Sequence, residues 1–147
     1  MKYLVYGPAI MNDIVYADGT TDKYHMGGVV FCMAGIKLWD DDVLYISNVG
    51  DDFEKYFGKW MDDNHFLRDG LKVILPHTMY TELRYGEMTL FTETGIYGEE
   101  EDVLIAKLDH PDAGWIASFC GKETKGIYVE AMEDDVFWDS LDVIREK

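Results

Sequence analysis

Positive charge is scarce in this chain. Thirteen Lys and Arg stand against 29 Asp and Glu, a formal net charge of −16 over 147 residues. Such a surface repels a phosphate backbone, which excludes nucleic acid as a partner. It also speaks against a self-contained pocket for a triphosphate. Cysteine is nearly absent: Cys32 and Cys120 stand among apolar neighbours without a CxxC pair. Neither a disulfide framework nor a zinc site is expected, and both thiols read as buried and inert. No apolar run reaches the length of a membrane span, and the stretch before Gly7-Pro8 is too short for a signal peptide. No membrane partner is expected, and the expected address is cytoplasmic.

Signatures of several chemistries are missing as well. GxGxxG, GxxxxGK[ST], GxSxG and HExxH do not occur, which removes support for P-loops, simple dinucleotide sites, hydrolase elbows and zincins. His25, His65, His77 and His110 are scattered without ligand spacing, and no metal-binding residue is expected. The acids fall in short runs, such as Asp40-Asp41-Asp42 and Glu99-Glu100-Glu101-Asp102. These read as solvated turns and helix starts.

What the chain does have is apolar and aromatic mass: 48% hydrophobic and 14% aromatic residues. That composition builds a single packed domain. A first strand is expected over residues 2–6, ended by Gly7-Pro8, and a short extended piece over 14–16 before the Asp18-Gly19 turn. Residues 28–38 are apolar nearly all round, which predicts a buried helix opened by Gly27-Gly28. Residues 43–48 predict a buried strand. Phe53, Tyr56, Phe57, Trp60 and Met61 at i, i+3, i+4, i+7 and i+8 give the cleanest amphipathic helix, with Asp51 and Asp52 placed to cap it. Strands follow at 73–75, 78–85 and 88–94, the last two as a hairpin across Gly86-Glu87. An acidic loop over 97–102, a short element over 103–107, strands over 115–119 and 126–130, and a closing helix from Glu133 to Ile144 complete the reading. A chain that stops on a crossover helix looks like a sheet cut short.

The order Gly7, Asn12-Asp13, Gly27-Gly28, then Asn48-Val49-Gly50-Asp51-Asp52, with a strand-rich insert, resembles the N-terminal half of the ribokinase-like (PfkB-type) carbohydrate kinases. The resemblance implies an α/β fold: a partial parallel sheet flanked by helices, with a β-rich lid at about 12–24 and 72–120. The whole of 1–147 would be the substrate-binding and lid portion, with the C-terminal ATP-binding half absent. Asp13 (or Asn12, the offset from Gly7 being ambiguous by one) would hold the hydroxyls of a sugar or nucleoside. Gly27 and Gly28 would let main-chain amides reach them. Cys32 stands where many relatives have an Asn beside the sugar, and a thiol is a weak hydrogen-bond partner. The family's Gly-Ala-Gly-Asp segment, with its general-base Asp, is absent, so no catalytic residue is expected in this chain. ATP and Mg2+ would serve the intact enzyme and bind elsewhere. The resemblance further implies association, as a homodimer through the lid or with a C-terminal half. The alternatives are a non-catalytic binding or assembly protein that keeps the fold, and an unrelated α/β binding domain.

Overall fold

A computed structural model of the chain describes residues 1–86, 90–100, 103, 105, 112–130 and 135–147. Strand β1 (Tyr3–Tyr6) lies between β4 (Val43–Gly50) and β8 (Gly126–Val129), and β5 (Leu71–Leu75) flanks β4. All three pairings are parallel. All eight residues of β4 are buried. That is why its sequence runs apolar without alternation: helices cover the sheet on both faces.

On one face lie α1 (Val30–Lys37) and α2 (Phe53–Asp63). Val5, Met33, Tyr45, Phe57 and Met61 meet there with almost no exposure. On the other lie α3 (Ala113–Ser118), α4 (Asp135–Asp139) and α5 (Asp142–Arg145), packed through Ile116 and Phe137 against Leu4, Tyr6, Leu44 and Ile46. The α2 stripe turns inward as its periodicity requires, with Phe53 and Phe57 stacked at 5.0 Å.

A second sheet stands at the end of the first, in the order β3-β2-β6-β7. It comprises β2 (Ala9–Val15), β3 (Thr21–Gly28), β6 (Met79–Tyr85) and β7 (Phe91–Gly95). β2 pairs antiparallel with β3 and parallel with β6, and β6 pairs antiparallel with β7.

Several expectations change. The extended piece expected over 14–16 is the tail of a seven-residue strand. Gly27 and Gly28 end β3 instead of opening the helix, which starts at Val30. Among the described residues of the span 72–120 expected as lid, Met79–Tyr85 and Phe91–Gly95 join the second sheet. Leu71–Leu75 extends the first sheet, and residues 115–118, expected as a strand, lie in α3. The acidic composition over 97–102 suggested a loop, yet Glu99 and Glu100 are helical. The element expected over 103–107 and the Met88 and Glu133 ends of two others fall largely outside the described residues. The closing helix is two short ones, interrupted at Ser140. Among the described residues, no helix is long and apolar enough to cross a membrane.

Candidate functional site

In an open parallel sheet the strand ends at the carboxyl edge converge on a crevice. Here that edge presents Gly7 after β1, Asp51 and Asp52 after β4, and Glu130 after β8. The chain leaves β1 along a pinned path. The carbonyl of Gly7 accepts hydrogen bonds from the buried Tyr45 hydroxyl at 3.0 Å and the Ser47 hydroxyl at 2.8 Å. From there Pro8 delivers β2 to the second sheet.

Consecutive residues of β2 face opposite sides, and this separates Asn12 from Asp13. Asn12 shares its face with Thr81, whose hydroxyl donates to Asn12 Oδ1 at 2.8 Å. Its Nδ2 donates to the His25 carbonyl at 3.4 Å. Gly27 lies against the same amide: a Cβ there would stand 2.5 Å from Asn12 Nδ2. Gly28 has φ +66°, a left-handed conformation, and a Cβ on it would stand 2.3 Å from the Pro8 carbonyl oxygen. Gly28 therefore has to be glycine, and a side chain at Gly27 would have to displace the Asn12 amide. The structure therefore brings Asn12 and the glycine pair together, as the motif order led one to expect. On Asn12's face of the sheet, Met79, Thr81, Glu93, Gly95 and Ile105 line an open hollow.

Asp13 points the other way, toward α2. Its Oδ1 accepts the Tyr80 hydroxyl at 2.7 Å and the Tyr24 N–H at 3.3 Å, and Lys23 Nζ lies 3.3 Å from Oδ2. Burial opposes the charge, but the hydrogen bonds from Tyr80, Tyr24 and Lys23 outweigh it and hold this carboxyl below the usual carboxylate range. The Tyr80 hydroxyl is pushed up, by burial first and by Asp13 second. Asp13 also seats a bulge in β3, where the register slips between Asn12 and Ile14 and Tyr24 adopts φ 63°. Its carboxylate is thus spent inside the fold, and of the two candidates left open by the motif offset, Asn12 is the one beside the glycines.

Cys32, on α1, is half-buried, and its thiol is pushed up by burial and then by the charge of Glu130. Glu130 went unnoticed in the sequence. Its Oε2 is buried without a hydrogen-bond partner, and burial pushes its carboxyl up. It packs against Gly7, where a Cβ would stand 2.8 Å from Glu130 Cβ and 2.3 Å from Val29 Cγ1. Its one available signal was position, directly after an apolar strand at the edge where parallel sheets bind ligands. Asp52, expected to cap α2, occupies the N-cap position without accepting a helix N–H. Its Oδ1 instead accepts the Thr78 N–H at 2.6 Å, tying β4 to the start of β6.

No family model and no curated protein matches the sequence. Solved structures do match the fold. The chain is similar to the nucleoside kinase of Methanocaldococcus jannaschii, an archaeal member of the ribokinase family, with TM-score 0.61 and 15% identity over 93% of this chain and 46% of that one. It is similar to the fructokinase of Halothermothrix orenii, with TM-score 0.60 and 16% identity over 99% of this chain and 54% of that one. A ribokinase from Cryptococcus neoformans gives TM-score 0.52 and 14% identity over 64% of this chain and 33% of that one. This chain thus spans roughly a third to a half of each, and what they share is the ribokinase-like fold.

Proposed function

We propose that this chain binds a neutral, hydroxyl-rich molecule, a sugar or nucleoside, between the carboxyl edge of the first sheet and the Asn12 face of the second. It would be the acceptor-binding half of an ATP-dependent phosphotransferase. One observation carries the reading. A buried carboxyl oxygen on Glu130 has no partner at the carboxyl edge of the first sheet, beside Gly7, from which the chain runs into β2 and the Asn12 amide packed on Gly27. Carboxyl and amide groups so placed recognise paired hydroxyls. Asn12, Gly27, Gly28 and Glu130 bind and orient the acceptor in this reading, while Asp13 shapes the sheet behind them. The Cys32 thiol borders Glu130 as an apolar wall.

ATP with Mg2+ would supply the phosphoryl group in the intact enzyme. The described residues do not fit it: the titratable groups of this edge are the carboxyls of Asp51, Asp52 and Glu130, with His77 nearby. Three carboxyls repel a triphosphate, so its cradle and the general base belong to groups outside those described. The same feature favours a second reading, in which the fold binds its ligand without phosphoryl transfer. Self-association would use the outer strand β7, where Leu90 and Phe91 are exposed.

Calorimetric titration with a pentose, a hexose, a cyclitol and a nucleoside tests the proposal. Saturable binding of one class is expected, weakened by Glu130→Gln and abolished by Gly27→Val. Failure of every class to bind, or binding indifferent to both substitutions, would overturn it. ATP consumption in the presence of the binding class separates the two readings.

A further inference from the structure

The end of β4 and the β5–β6 connection gather groups that the acceptor site does not use. The connection lies directly on the strand end: a Cβ on Gly50 would stand 2.1 Å from Thr78 N and 2.2 Å from the His77 carbonyl carbon. This close approach brings one ligand atom each from Asp51, Asp52 and His77 within 4.8 Å of one another. Three atoms bound at about 2.1 Å to one ion lie at most about 4.2 Å apart, so small side-chain rotations complete the set.

Two of the three groups are already oriented. The Thr78 N–H holds Asp52 Oδ1, and the His77 ring stacks on Tyr97 with centroids 4.4 Å apart. An independent observation lies in the same turn. The Thr78 hydroxyl is 2% exposed and has no hydrogen-bond partner. With Asn48 and Gly50 it lines a small hollow of about the size of one water, next along the chain from Asp51 and His77. Buried hydroxyls are normally satisfied, by water where protein offers nothing. A water held there, carried on an ion bound by the neighbouring Asp51, Asp52 and His77, would meet that hydroxyl.

We propose that Asp51, Asp52 and His77 bind one divalent transition-metal ion, Zn2+ or Mn2+, with water completing its coordination. Two carboxylates and one imidazole are a donor set of intermediate softness. They select such ions over Mg2+ and Ca2+, which prefer oxygen alone. The site stands whether or not a sugar or nucleoside binds beside it.

Titration of the full chain with Zn2+ and Mn2+ tests this, with Co2+ as a visible-absorption probe. One ion per chain is expected, with affinity falling roughly a hundredfold in His77→Ala and at least about tenfold in Asp51→Asn, in line with losses at metal sites. Asp51 is exposed, so its substitution leaves the fold intact, which circular dichroism verifies. His65→Ala, at the exposed end of α2, binds as the unaltered chain does. Three outcomes would sink the site: no saturable binding, affinity in the His77 and Asp51 variants equal to that of the unaltered chain, or displacement of Zn2+ by an equal concentration of Mg2+.

Discussion

Burial pushes up two carboxyls, Asp13 in β2 and Glu130 after β8, yet they end on opposite sides of the usual range. Asp13 is held below the usual range because Tyr80, Tyr24 and Lys23 outweigh its desolvation. A depressed folded pKa gives stability that is present above the unfolded value, near 4, and lost as pH falls through the folded one. Asp13→Asn should therefore cost about 1 kcal/mol at pH 7, the margin between charged and neutral hydrogen bonds. Denaturant titration should find that deficit shrinking below pH 4. Glu130 is raised by burial, so the folded state favours its proton and loses stability as pH rises. Glu130→Gln should raise the melting temperature at pH 7 and leave it unchanged near pH 4. Neither behaviour was legible in the sequence. It depends on which face of β2 Asp13 takes and on what the end of β8 packs Glu130 against, and neither the adjacent letters Asn-Asp nor a Glu after an apolar run carries that information.

Secondary structure was legible where one period dominated. The α2 stripe and the buried run of β4 could be read directly, because a helix packed on one face and a strand packed on both leave distinct patterns. The error at 115–119 is instructive. Trp115, Ile116 and Phe119 look β-prone, yet Ala113, Ile116 and Ala117 form a buried helical face. Asp112 starts that helix by accepting the Trp115 N–H at 3.0 Å, and this cap was the overlooked signal. Asp112→Ala should destabilise the protein by about 1 kcal/mol, measurable as a shift in the chemical-denaturation midpoint without a change in slope. The glycine pair misled for a related reason. A glycine pair with a left-handed second member suits a strand's exit as well as a helix's entry, and only pairing of Gly27 and Gly28 with Ile10 and Ala9 decides between them.

At the scale of the molecule, the motif order carried the fold, because glycines at close backbone approaches, such as Gly28 on Pro8, tolerate few other residues. Which strands make up the second sheet was not legible, since membership of a sheet is decided by long-range pairing. Net charge acts on the whole as well. With −16 on 147 residues, self-repulsion opposes compaction and is screened by salt. Raising NaCl from about 10 mM to about 150 mM, where the screening length falls below about 10 Å, should increase the melting temperature. A decrease would show that the ion pairs, such as Arg68 with Glu54 and Asp62, outweigh the excess.

The parallel pairing of β2 with β6 has a consequence for how the protein comes into being. Ile10 lies beside Met79, and β4, α2 and β5 all intervene along the chain. The upper sheet is therefore no removable cassette. It closes late, after the segment between its two halves has folded back, as loop-closure entropy requires. A ligand gripped by that sheet would consequently report on the integrity of the whole chain.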